Sequence, residues 1–275
     1  MNRTRMNRTI VNLIYIILFL FAAGQTEAQS PDLAKPFRVG VGLGGSFMGY
    51  REETEAPINR YLNALTYIID GNIEKGRFFH SFNISFFSGN AEMTIPYEGY
   101  SHKQYNASSG LMEYALDYRL WGNQTFPGYL GGAFRTAFYF TTVDDTEDTH
   151  SPTGYGLVSL DIHATQKWII NAKNTLTLSA GFPVFGYAVR PPYAMIDELW
   201  VKYSNDGTYI KVITLGKIVS FHNYWAFFAD LKYQHNFNTL FSLYSGLGIG
   251  VSRINFYRPR TDAVFRLNAG IAFTF

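Results

Sequence analysis

The last eleven residues, FRLNAGIAFTF, alternate without a break. Phe265, Leu267, Ala269, Ile271, Phe273 and Phe275 fall on one side of an extended strand, and Arg266, Asn268, Gly270, Ala272 and Thr274 on the other. A strand with one wholly apolar face is hard to place in water, because many such faces together expose more hydrophobic surface than a soluble monomer carries. The same period of two recurs along most of the chain. It points to an antiparallel sheet whose outer face meets lipid.

The other end of the chain reads as an address. Arg3, Arg5 and Arg8 precede an apolar run from Ile10 to Ala23 broken only by Asn12, and Thr26-Glu27-Ala28 follows. A basic start, an apolar stretch and small residues at these offsets make an export signal, with cleavage expected after Ala28 and Gln29 as the first mature residue. The rival reading is an uncleaved anchor, which needs roughly 20 apolar residues and no cleavage site. On the first reading residues 1–28 are the signal peptide and residues 29–275 form one domain. The signal holds three Arg and one Glu, so its removal takes the formal charge from +2 to zero and disfavours a nucleic-acid partner. The chain has no Cys, which excludes a disulfide framework and a thiolate metal site. No second long apolar run follows. The 24 Phe and 20 Tyr suit girdles at a membrane interface and bulky filling of a narrow lumen.

Taken with the export signal, the last strand resembles the closing strand of Gram-negative outer-membrane β-barrels, which typically ends in Phe after hydrophobic residues at alternate positions. The resemblance implies an all-β fold, a transmembrane antiparallel up-and-down β-barrel, in contact with outer-membrane lipid and lipopolysaccharide. It also implies that Phe265, Leu267, Ile271, Phe273 and Phe275 form the signal read by the barrel-assembly machinery. The alternation predicts about twelve strands, each needing ~9–11 residues to cross. It is clear over 37–47, 78–86, 112–120, 130–140, 158–164, 176–184 and 241–251, and sparser around 65–69, 210–212 and 225–231. Both ends of such a barrel lie in the periplasm, which requires an even strand count. A short strand at 197–203 makes the count even. It turns Ser204-Asn205-Asp206-Gly207 into a periplasmic hairpin and places the polar stretches at 51, 90 and 144 outside. Trp121, Trp168 and Trp200 then lie near periplasmic strand ends, as an interface belt requires.

Projecting the inward faces gathers Glu113, Asp117 and Arg119 on the fourth strand, Arg135 on the fifth, and Asp161, His163 and Lys167 on the sixth. Lys211, Lys217, Asp230, Lys232 and Arg266 face in farther along. A barrel interior is polar in any case, and its ions pair across neighbouring strands because an unpaired buried charge is costly. The alternative is that the group on strands four to six lines a constriction selecting a small polar solute. Asp161 and His163 share a face as a base and its orienter would, with Ser159 or Ser179 as nucleophile, but no intact catalytic motif is present. His80 and Ser81 are adjacent, whereas outer-membrane phospholipases place Ser two residues after His. The acidic run Asp144, Asp145, Glu147 and Asp148 is a weak candidate for a divalent cation; it lacks the spacing of a calcium loop, and such charge runs are commonly just solvated loops. No phosphate loop, dinucleotide fingerprint or zinc spacing occurs, so no cofactor is expected. The expected function is a narrow pore for small polar solutes or a structural, surface-exposed barrel without catalysis. A lipid-modifying hydrolase on the same scaffold and a loop-mediated binding or adhesion protein are the alternatives.

Overall fold

The computed structural model describes residues 37–52, 58–93, 104–143, 153–190, 216–255 and 259–275. They form eleven strands: β1 (Arg38–Glu52), β2 (Ile58–Lys75), β3 (Phe78–Met93), β4 (Gln104–Trp121), β5 (Gly128–Val143), β6 (Thr153–Ile169), β7 (Asn174–Val189), β8 (Lys217–Ser220), β9 (Tyr224–Asn236), β10 (Phe241–Ile254) and β11 (Arg260–Thr274). Every neighbour pairing is antiparallel. Strand β1 pairs with β2 on one side and β11 on the other, and β7 pairs with β6 and β9, so all strands but β8 close into a ring. Beyond the ladder, Phe37 N–H donates to the Phe275 carbonyl at 3.1 Å and Phe275 N–H to the Phe37 carbonyl at 2.8 Å. Closure leaves no strand edge, which is what hydrocarbon demands of any backbone that crosses it.

The period of two sorts side chains to the two faces. On β11, Phe265, Leu267, Ile271 and Phe273 point outward and are exposed, while Asp262 and Ala272 are buried inside. The same holds for Met112, Tyr114 and Leu116 against Ala115 and Asp117 on β4, and for Leu160 and Ile162 against Ser159, Asp161 and His163 on β6. Ring strands of 13 to 18 residues exceed the crossing length, and the excess lies at one end. There the outward positions become polar: Arg51, Asn63, Ser88, Asn106 and Arg253 are exposed.

The opposite end carries the tight turns and both termini of the ring. Gly76, at φ 60, makes the β2–β3 turn. The other three turns share one device. Asn123 accepts from the amides of Thr125 and Phe126, Asn171 from those of Lys173 and Asn174, and Asn238 from those of Leu240 and Phe241, all within 2.7–2.9 Å. Each side chain satisfies two amides that the ladder leaves open. Asn123, part of an Asn-x-Thr triplet, thus has a structural reason to be there. Trp121, Phe126 and Trp168 cluster at this end, the Phe126 and Trp168 rings meeting edge-on at 5.5 Å, and Trp121 Nε1–H donates to Gln166 at 2.9 Å. We call this the turn end and its opposite the loop end.

The strand count is corrected by the ring. Residues 197–203, 204–207 and 210–212, with Trp200 and Lys211, lie outside the described residues, as do the export signal and the acidic run at 144–148. The ring has no place for two further strands, because β7 pairs directly with β9 from Asn174–His235 to Gly181–Phe228. Ten strands close it, not about twelve, and the even number that puts both termini at one end is kept. Above Gly181 the edge of β7 shifts register at a bulge and passes to β8, Phe185 to Ala188 pairing with Ser220 to Lys217. Lys217 is exposed there.

A closed ladder of this kind resists detergent, so unboiled protein is expected to migrate apart from boiled protein on a denaturing gel. Asn123→Ala is expected to lower the urea unfolding midpoint by about 1 kcal/mol of stability, and Asn123→Asp, which keeps the acceptor, by less.

Candidate functional site

Among the described residues the inward alternation of the strands converges on the lumen, whose charged side chains fall into three tiers. The middle tier is centred on Arg135. Direct register places Glu113 of β4 opposite it, and the two form an ion pair. Arg135 Nε lies 3.2 Å from Asp161 Oδ2 on β6, and the guanidinium sits 3.6 Å from the centroid of the Phe228 ring on β9. Gly181 makes room for it, since a Cβ there would stand 3.1 Å from Arg135 Nη2. Asp161 also accepts from Ser159 Oγ at 2.6 Å. A second arginine crosses the lumen at a similar height: Arg266 of β11 donates to Ser85 on β3 and to Asp230 on β9, each at 3.2 Å.

Toward the turn end, His163 Nδ1 and Thr165 Oγ1 both donate to Asp117 Oδ2 at 2.8 Å. Lys167 pairs with Glu74 at 3.2 Å and lies 3.7 Å from the Phe79 ring centroid. On the other side of the lumen Asp70 holds Lys232 at 2.6 Å and Arg38 at 3.8 Å. The ammonium of Lys232 sits 4.0 Å from the Tyr244 ring centroid. Tyr244 can lie against the wall because Gly42 and Gly270 face it; a Cβ on Gly42 would come within 2.4 Å of its hydroxyl.

The loop end holds Arg260, whose guanidinium is surrounded by Tyr139, Tyr155 and Tyr50 at 4.3, 4.6 and 4.8 Å. Its Nε donates to Asp262 at 2.8 Å. Arg260 is 1 % exposed. Around it pack two apolar clusters, one of Met48, Tyr50, Leu62, Phe87, Ala107 and Tyr139, the other of Leu157, Ala188, Val219, Tyr224, Ala226 and Ile254. The charge is shielded by π-faces as well as by its carboxylate.

Six of the seven residues expected at a constriction point into the lumen interior, in separate groups. Glu113, Arg135 and Asp161 form one network, Asp117 and His163 a second, and Lys167 a third. Arg119 stands at the turn-end rim, with Nη2 3.4 Å from the Gly122 carbonyl. Asp161 and His163 do not form the base-and-orienter pair their spacing suggested: each bonds to a different strand, and the Ser159 hydroxyl is taken by Asp161. Arg38, Asp70, Glu74, Arg260 and Asp262 also face the lumen; Arg38 shares the inward phase of β1, and extending that of β2 and β11 by two to six residues reaches the other four. Among the described residues no group of three or more His, Asp or Glu is arranged to hold a metal.

No protein-family model matches the chain, and no curated protein matches it. Solved structures do. The outer membrane protease OmpT from Escherichia coli is 9 % identical, with a TM-score of 0.53 over 91 % of this chain and 100 % of that one. The translocator domain of the autotransporter NalP from Neisseria meningitidis is 10 % identical over 98 % of each chain, with a TM-score of 0.40. An outer membrane channel from Pseudomonas putida F1 is 10 % identical over 90 % of this chain and 100 % of that one, with a TM-score of 0.35. At these identities the likeness concerns fold alone. The chain is an outer-membrane β-barrel in architecture.

Removing Arg135 leaves two buried carboxylates facing each other. Arg135→Leu is expected to cost about 3–5 kcal/mol of stability in urea unfolding from micelles, whereas replacing Glu113, Arg135 and Asp161 together by leucine is expected to restore most of it.

Proposed function

We propose that the protein is a closed, non-catalytic barrel of a Gram-negative outer membrane, exported by a leader cleaved after Ala28 and presenting its loop end at the cell surface. The turn end, with both termini, is then periplasmic, as in barrels of this architecture. Its outward aromatic face meets lipid, and its surface loops meet lipopolysaccharide. The alternating Phe265, Leu267, Ile271, Phe273 and Phe275 serve assembly, and the outward exposure of all five suits reading by the assembly machinery from the lipid side.

The observation that carries the closed reading is the packing of the loop-end half. Arg260, Tyr139, Leu62 and Ile254 are at most 1 % exposed, although they lie on the inner wall of a ring. Side chains of that size, packed against one another from β2, β5, β10 and β11, leave no file of water for a solute to follow. The non-catalytic reading is supported by Ser159, the nearest serine to His163 on its strand, whose hydroxyl donates to Asp161 at 2.6 Å and so is not aligned with the imidazole.

Planar-bilayer recording tests the proposal. The protein is expected to insert without unitary conductance, and Arg135→Ala combined with Arg260→Ala to produce open events. Steady conductance of the unaltered protein would replace the closed reading by the narrow pore.

A further inference from the structure

Within the turn-end half of the lumen one wall is packed more loosely than the rest, where Tyr129, Asp117, Thr165 and Tyr244 are at most 4 % exposed. On the inward faces of β7 and β9, Thr177, Ser179, Asp230, Lys232 and Gln234 are all partly exposed, whereas Gly181, Tyr224 and Ala226 toward the loop end are buried. The side chain of Asp230 is 45 % exposed and that of Lys232 is 24 %. Asp230 sits midway along β9 and faces inward, beside Gly248 of β10, so it reaches solvent only through the lumen. Glycines on β10 let Asp230 and Asn268 lie close against that strand. A Cβ on Gly248 would stand 2.5 Å from Asp230 Oδ1, and one on Gly246 2.6 Å from Asn268 Oδ1. The partly exposed strip runs down β9 to Asn236 at the turn end and lines a chamber roofed by Arg266 and Arg135.

The two accessible charges in it are opposite in sign and two residues apart, about 6.8 Å along a strand. Asp230 accepts from Arg266 through Oδ1, and Lys232 donates to Asp70 and lies over the Tyr244 ring. Ser179 and Thr177 of β7 stand directly beside Asp230 and Lys232. We infer that this chamber binds a small zwitterion, of the α-amino acid kind, with its ammonium on Asp230 and its carboxylate on Lys232. A simple cation or anion would satisfy only one of the two groups. The chamber is a blind cup entered from the turn end and is compatible with a lumen closed above it.

The chain has no cysteine, so a single introduced thiol reports without background. Ser179→Cys and Ala226→Cys are placed separately in the full-length folded protein in micelles and treated with a trimethylammonium methanethiosulfonate. The thiol at 179 is expected to react quickly and that at 226, in the packed half, at least tenfold more slowly on the scale of an opening reaction. Glycine is expected to slow modification at 179 several-fold. Acetate or methylammonium at the same concentration is expected to leave it unchanged. Asp230→Asn and Lys232→Met, each verified as folded by unboiled migration, are expected to abolish the protection while 179 stays reactive. Equal slow reaction at both positions overturns the chamber. Absent protection, equal protection by the single ions, or protection that survives both variants overturns the zwitterion site. Neither result depends on conductance, so failure here is distinct from failure of the closed-barrel reading.

Discussion

A backbone in hydrocarbon has no water to bond to, so every amide and carbonyl along a crossing strand must find its partner in the next strand. That requirement makes the contact between β1 and β11 the one on which the rest depends. Fifteen residues of β1, from Arg38 to Glu52, pair in register with β11 from Thr274 back to Arg260, and the first and last described residues exchange bonds beneath them. Once the ring is closed, the alternation of side chains is no longer negotiable. Odd residues of β10 and β11 face lipid, even residues face the lumen, and a slip of one residue would carry Arg266 and Asp262 into the membrane.

Closure also dictates what the interior has to contain. A ring somewhat wider than an eight-stranded barrel cannot be filled by short side chains from the wall alone. Arginine and tyrosine do it here because they are long enough to cross. Arg135 spans from β5 to the ring of Phe228, and Arg266 from β11 to Ser85 on β3. Each brings charge into a confined space, and each is met by carboxylates on neighbouring strands, because leaving one unmatched costs more than any packing would return. Glycines set the complementary relief. Gly181 admits Arg135, Gly42 and Gly270 admit Tyr244, and Gly248 and Gly246 admit Asp230 and Asn268.

Much of the candidate site was legible in the chain. Strict alternation on β4, β5 and β6 puts Glu113, Asp117, Arg135, Asp161, His163 and Lys167 inside without any knowledge of partners. Which of them meet was not legible. Neighbours along β6, such as Asp161 and His163, look like a pair in sequence, but side chains two apart on a strand lean toward adjacent strands as readily as toward each other. Register across β4–β5 and β5–β6 sends Asp161 to Arg135 and His163 to Asp117. Arg260 escaped notice because its significance lies in three tyrosines on β1, β5 and β6 that only closure brings around it.

The sequence by itself determined the class of fold and the lipid-facing and lumen-facing sets, since both follow from a local period of two and from the need to hide one face. The tertiary structure alone decided that the ring takes ten strands, that the inner wall of β7 and β9 is less tightly packed than the rest, and which charges share a tier. These depend on how far each strand is offset from the next around a closed ring. An offset is a relation between distant segments, and no local pattern encodes it.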